Sequence, residues 1–139
     1  MTNLRTKVQN SYGQWLSNYE WSHWTTLTTR YELTLPSARR LAEGYYKHLS
    51  KIGGVRMFWA AEPFDCKDGY HLHALMNVPE LLPYNFLVNT YQFVSGNKEL
   101  TKENWNRIQL MKYNPKLGAG YYCGKYITKN LADYDIFGK

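Results

Sequence analysis

Short strand-like runs alternating with longer helical runs predict an α+β domain of ferredoxin-like type. Thr, Trp, Tyr and β-branched residues gather in the short runs, while the longer ones repeat apolar residues at helical spacing. Their order is strand, helix, strand, strand, helix, strand and one further helix, the split β-α-β arrangement with an addition. The fold that follows is a central antiparallel sheet of four to five strands with helices on one face. A length of 139 residues suits one domain, 1–139, with its own core. No repeat, low-complexity segment or linker divides it.

The first strand is read in "HWTTLTTRYEL", His23 to Leu33. "PSARRLAEGYYKHLSKIGG" follows, with a helical stripe of Ala38, Leu41, Ala42, Tyr45, Leu49 and Ile52 closed by Gly53 and Gly54. Val55 to Phe64 returns to strand character, and "CKDG" turns it into a second strand, Tyr70 to Val78, forming a hairpin. After Pro79, "ELLPYNFLVNTYQFVSG" fits a helix with Phe86, Leu87, Tyr91 and Val94 inward, ended by Gly96. Asn104 to Asn114 is the next strand, and Leu117 to Ala132 has helical spacing after a glycine-rich start.

Hydrophobic residues make up 44% of the chain and charged residues 20%, which excludes the signature of disorder. No apolar run approaches the roughly 18 residues of a membrane span, and "MTNLRTKVQN" lacks the apolar core of a secretory signal. A cytoplasmic, non-membrane protein is expected. Cys66 and Cys123 form no C-x-x-C pair and no disulfide framework. Lys and Arg number 17 against 11 Asp and Glu, a net charge of +6, alongside 13 tyrosines and 5 tryptophans. Cations that neutralise phosphates and rings that stack on bases lean towards single-stranded nucleic acid.

Within "CKDGYHLHALMNV", strand alternation points His71, His73 and Leu75 to one face. Leu72, Ala74, Met76 and Val78 take the other, under the helices, so the histidines fall on the more open face. Side chains at i and i+2 start roughly 6.5 to 7 Å apart, close enough to converge on one ion and equally able to be two packed side chains. Glu62, on the neighbouring hairpin strand, is either a third ligand or an exposed charge at a strand end. Two imidazoles and a carboxylate suit Mn²⁺, Mg²⁺ or Zn²⁺ with positions left open.

In "GYYCGKYITK", Tyr122 and Tyr126 share a helical face, with Lys125 and Lys129 beside it. Like charges at that spacing cost a few tenths of a kcal/mol, which a nearby anion such as phosphate offsets. Gly118 and Gly120 allow another backbone or a DNA strand to approach closely.

"HLH" after an upstream Glu, followed by "YYCGKYITK", resembles the HUH endonucleases, specifically the rolling-circle replication initiators (Rep proteins) of small single-stranded DNA phages, plasmids and viruses. The likeness runs from "WTTLTT" to "YITK". It implies Glu62, His71 and His73 as metal ligands for Mn²⁺ or Mg²⁺, and Tyr122 and Tyr126 as nucleophiles with Lys125 and Lys129 as basic partners. Tyr122 ranks first, Tyr126 second and Tyr121 third. The tyrosine-bearing helix would then lie at the active-site face. The first motif, Trp24 to Thr29, implies DNA contacts from Trp24, Thr26, Thr28 and Arg30.

The implied activity is metal-dependent, sequence-specific nicking and rejoining of single-stranded DNA through a 5′-phosphotyrosine bond, initiating rolling-circle replication. The implied partners are single-stranded DNA at a replication origin, including one drawn out as a stem-loop, and the host helicase and polymerase. A monomer is expected, either a minimal initiator or the nickase part of something longer. Two rivals stand beside this. One is the related single-tyrosine transposase of insertion sequences, which commonly uses Gln as its third ligand, where this chain has Lys125, Lys129 and Asn130. The other is a ferredoxin-like nucleic-acid-binding module that does no chemistry.

Overall fold

The computed structural model describes residues 11, 13–96, 106–122 and 132–138. In chain order the elements are β1 (His23–Thr28), α1 (Leu35–Ser50), β2 (Arg56–Pro63), β3 (Tyr70–Asn77), α2 (Tyr84–Val94), β4 (Arg107–Lys112), α3 (Gly118–Tyr122) and β5 (Asp133–Phe137). The strands form one sheet in the order β4-β1-β3-β2-β5, with every neighbouring pair antiparallel. The first four have the ferredoxin-like order, and β5 adds a fifth beside β2.

Several boundaries differ from those read in the sequence. β1 stops at Thr28 rather than Leu33, because the polar groups that follow bond to loops instead of a ladder. Thr29 Oγ1 donates to the Tyr31 carbonyl at 2.6 Å, and the Arg30 N–H donates to Asn106 Oδ1 at 2.8 Å. Helix α1 begins one residue before Pro36, where Thr34 and Ser37 satisfy each other's backbone N–H groups in a capping box. Its stripe of Ala38, Leu41, Ala42, Tyr45 and Leu49 is buried as expected. Ile52 lies beyond the helix end at Ser50 and is 58% exposed. Helix α2 is shorter than expected, starting at Tyr84 behind Pro83, which takes the cap position, where no intrahelical N–H bond is made. Leu87 and Tyr91 are buried as read, Phe86 and Val94 only half-buried. Gln92 is also buried, its Nε2 donating to the Asn106 carbonyl at 2.7 Å.

The main core lies between the two long helices and the face carrying Leu27, Trp59, Ala61, Leu72, Ala74 and Met76. Helix α1 is also tied to β5. Arg39 donates to Asp133 at 3.0 Å and Asp135 at 2.8 Å while its guanidinium lies 5.1 Å from the buried Trp59 ring. Trp59 is therefore a core residue.

The opposite face is not uniformly open. At one end, Phe58, Ala60 and Leu75 are covered by Leu16, Trp21, Ala119 and Tyr122, forming a second, aromatic-rich core. Close backbone contact makes this possible. A Cβ on Gly13 would sit 2.6 Å from Gly120 Cα, so the two segments pack glycine against glycine. Gly118 starts α3 at φ +77°, a left-handed conformation that other residues rarely adopt. Of the expected C-terminal helix, Gly118–Tyr122 is described and lies on this face, and 123–131 falls outside the described residues. Among the described residues no helix is long and apolar enough to cross a membrane.

Candidate metal centre

At the uncovered end of the same face, antiparallel pairing sets Glu62 directly opposite His71, and Thr26 and Ala60 opposite His73. Ala60 is small enough to leave room between the imidazoles and the carboxylate. The three ligating side chains converge. Glu62 Oε2 lies 2.9 Å from His73 Nε2 and 3.8 Å from His71 Nε2, and the two Nε2 atoms are 3.0 Å apart.

These separations fit a shared ion. Ligands about 2.1 Å from a six-coordinate cation lie roughly 3.0 Å apart when adjacent and roughly 4.2 Å when opposite. Two of the three distances match the adjacent value and the third lies between the two. The side chains of Glu62, His71 and His73 are 13%, 16% and 10% exposed, so the group is mostly desolvated yet reachable from one side. Among the described residues this is the one cluster of three such donors. The Glu-His-His set can hold a metal ion.

Burial dominates the electrostatics. It pushes the His73 imidazole down to about 4. His71 is also lowered, first by burial and then by the neighbouring His73, with Glu62 and Asp65 acting in the opposite direction. Both rings are therefore neutral near pH 7, the form that offers a lone pair to a metal.

The two histidines are held differently. His73 Nδ1 is 3.1 Å from Thr26 Oγ1, and a hydroxyl can accept from an Nδ1–H. An Nδ1–H tautomer leaves the Nε2 lone pair available to an ion shared with Glu62 and His71. His71 Nδ1 is buried with no hydrogen-bond partner among the described residues, and its ring rests on Phe64 with centroids 4.8 Å apart. His73 is thus oriented by a polar contact and His71 by packing. Thr26, expected at DNA, also reaches the metal group, its hydroxyl lying 3.1 Å from His73 Nδ1.

Tyr122 is on the same face but not at the metal group. It is 3% exposed, packed at 5.8 Å from the Trp24 ring and 5.0 Å from Tyr113. Its hydroxyl accepts the Asn114 N–H at 2.9 Å. Asn114 follows the β4 end that pairs with His23, whereas the metal group lies towards the other end of β1. Trp24 is half-buried against this second core rather than free for a base, and Tyr121 is 37% exposed. Thr28 and Arg30 line a groove beside Thr26. Lys125, Tyr126 and Lys129 lie outside the described residues.

Compared with protein-family models, curated proteins and solved structures, the chain finds no match.

Proposed function

We propose that this protein nicks and rejoins single-stranded DNA by forming a covalent tyrosine–DNA intermediate beside a Mn²⁺ or Mg²⁺ ion, as a rolling-circle initiator does. The observation that carries the reading is the convergence of Glu62, His71 and His73 within 2.9 to 3.8 Å, on the sheet face that also carries the tyrosine helix. A divalent ion held there would polarise the scissile phosphate and offset charge growing on its oxygens.

The chain's own residues supply the rest. A tyrosine oxygen attacks phosphorus, its phenolic proton is released, and the bond to the 3′ oxygen breaks. The departing oxygen takes up a proton as a 3′-OH, leaving a 5′-phosphotyrosine. Candidates are Tyr122 and Tyr126, with Lys125 and Lys129 favouring the phenolate or binding the phosphate. Tyr122 sits over Trp24, one pleat repeat from Thr26, and must leave its bond to Asn114 to act. The nine residues 123–131 join Tyr122 to Ala132, whose N–H bonds the Ala61 carbonyl next to Glu62. That connectivity supports Tyr126 as an equal candidate.

A purely binding sheet is less well supported. In such modules central aromatic residues face the bases, whereas Phe58 here is fully buried and Trp24 is packed against the second core. The test is incubation with a labelled single-stranded DNA pool and Mn²⁺, followed by a denaturing gel. A slow-migrating adduct that needs metal and disappears when Tyr122 and Tyr126 are both changed to Phe is expected. An adduct surviving the double substitution, or none at all, would contradict the proposal.

A further inference from the structure

We infer that the groove running past Thr26 between the β1–β4 end of the sheet and α2 is the track for unpaired DNA next to the scissile phosphate. The inference rests on the nicking reading and adds the strand's path to it. The groove, about 820 Å³ in volume, is lined by Thr26, Tyr84, Asn85, Asn89, Arg107 and Gln109. Thr26 is the hinge of the argument. It forms part of the groove wall, and its hydroxyl is 3.1 Å from the ligand His73, so the groove opens directly beside the metal centre.

The approach from the other direction along the face is closed. There Leu75 and Phe58 are fully buried under the second core, leaving no room for a strand. What lines the open side is the chemistry that holds unpaired nucleotides. Tyr84 is 57% exposed, a ring available for stacking on any base. Arg107 is exposed at the start of β4, with no acidic partner among the described residues, and suits a backbone phosphate. Asn85, Asn89 and Gln109 are exposed amides that can donate to and accept from base edges once those edges are unpaired. A stacking ring and amides on the α2 wall, with a cation and an amide on the β4 wall, fit a single strand better than a duplex, whose base edges are engaged.

The test measures binding of a fluorescein-labelled oligothymidylate of about 20 nucleotides, longer than a typical 4–16 nucleotide site, by anisotropy in EDTA. Tyr84→Ala and Arg107→Gln should each weaken binding about tenfold. Arg107→Gln should also flatten the slope of log affinity against log salt by roughly 0.7. Lys47→Gln, on the far side of α1, should change neither. Unchanged melting and unchanged Mn²⁺ binding confirm that the variants are folded. If the parent protein binds the oligonucleotide and the Tyr84 and Arg107 variants bind as well as it does, or Lys47→Gln weakens binding as much, the track is wrong while nicking stands. If the parent binds Mn²⁺ but no single-stranded DNA, the nicking reading falls, and the track with it.

Discussion

Thr26 and His73 show how much one side chain can decide. The Thr26 hydroxyl 3.1 Å from Nδ1 holds the imidazole so that Nε2 faces Glu62. Partners of this kind typically contribute 10–100-fold to metal affinity. Thr26→Val keeps the shape and removes the hydroxyl, so Mn²⁺ affinity by calorimetry should fall by roughly that factor, with Thr26→Ser near the parent. Equal affinity in all three would remove Thr26 from the site. His73 also makes the metal-free fold sensitive to acid. In the unfolded chain it protonates near the ordinary 6.5, but folded it resists down to about 4. The unfolded state therefore binds more protons across that window, and stability is full above pH 6.5 and lost as pH falls towards 4. The loss is on the order of 3 kcal/mol. Urea unfolding in EDTA at pH 7 and pH 4.5 checks it, and His73→Gln should flatten the difference. The sequence carried the histidine pair because strand period two puts positions 71 and 73 on one face. It could not carry the Thr26 contact, which spans 47 positions and depends on how β1 registers against β3.

Among the elements, the β2–β3 hairpin was the most legible, since a short turn with Asp68 and Gly69 leaves few registers open and brings Glu62 opposite His71. β5 was the least legible. In "DYDIF" charged residues alternate with apolar ones, and the strand is held by pairing to β2 and by Arg39 from α1, partners remote in sequence. The packing of α3 also escaped the sequence. Gly120 was read as a place for another backbone or a DNA strand, and the backbone at Gly13 is what approaches it. Gly13→Ala places a methyl 2.6 Å from Gly120 Cα, so α3 must shift off Phe58 and Leu75. The expected cost is about 1–3 kcal/mol by urea unfolding, with Mn²⁺ affinity unchanged because Glu62, His71 and His73 lie at the other end of the face. A parallel loss of Mn²⁺ binding would mean that the two ends are not independent.

For the molecule as a whole, two cores on opposite faces of one sheet divide the labour. The helix-side core builds the ferredoxin-like frame. The second core covers one end of the other face and leaves Glu62, His71 and His73 at the uncovered end. Alternating patterns made the frame readable. The second core was not, because its parts come from residues 15–24, Phe58, Leu75, Tyr113, α3 and Ile136, and no local period links them. In the proposed nicking reaction, the tyrosine nucleophile would come from Tyr122, where α3 ends, or from the chain between it and Ala132, whose N–H bonds the Ala61 carbonyl. The most direct measurement is mass spectrometry of the protein after reaction with single-stranded DNA and Mn²⁺ and trimming of the DNA. A nucleotide on the peptide holding Tyr122 and Tyr126, absent in EDTA and in Glu62→Ala, is the predicted result. A modification on any other peptide, or one formed equally without metal, would contradict the account.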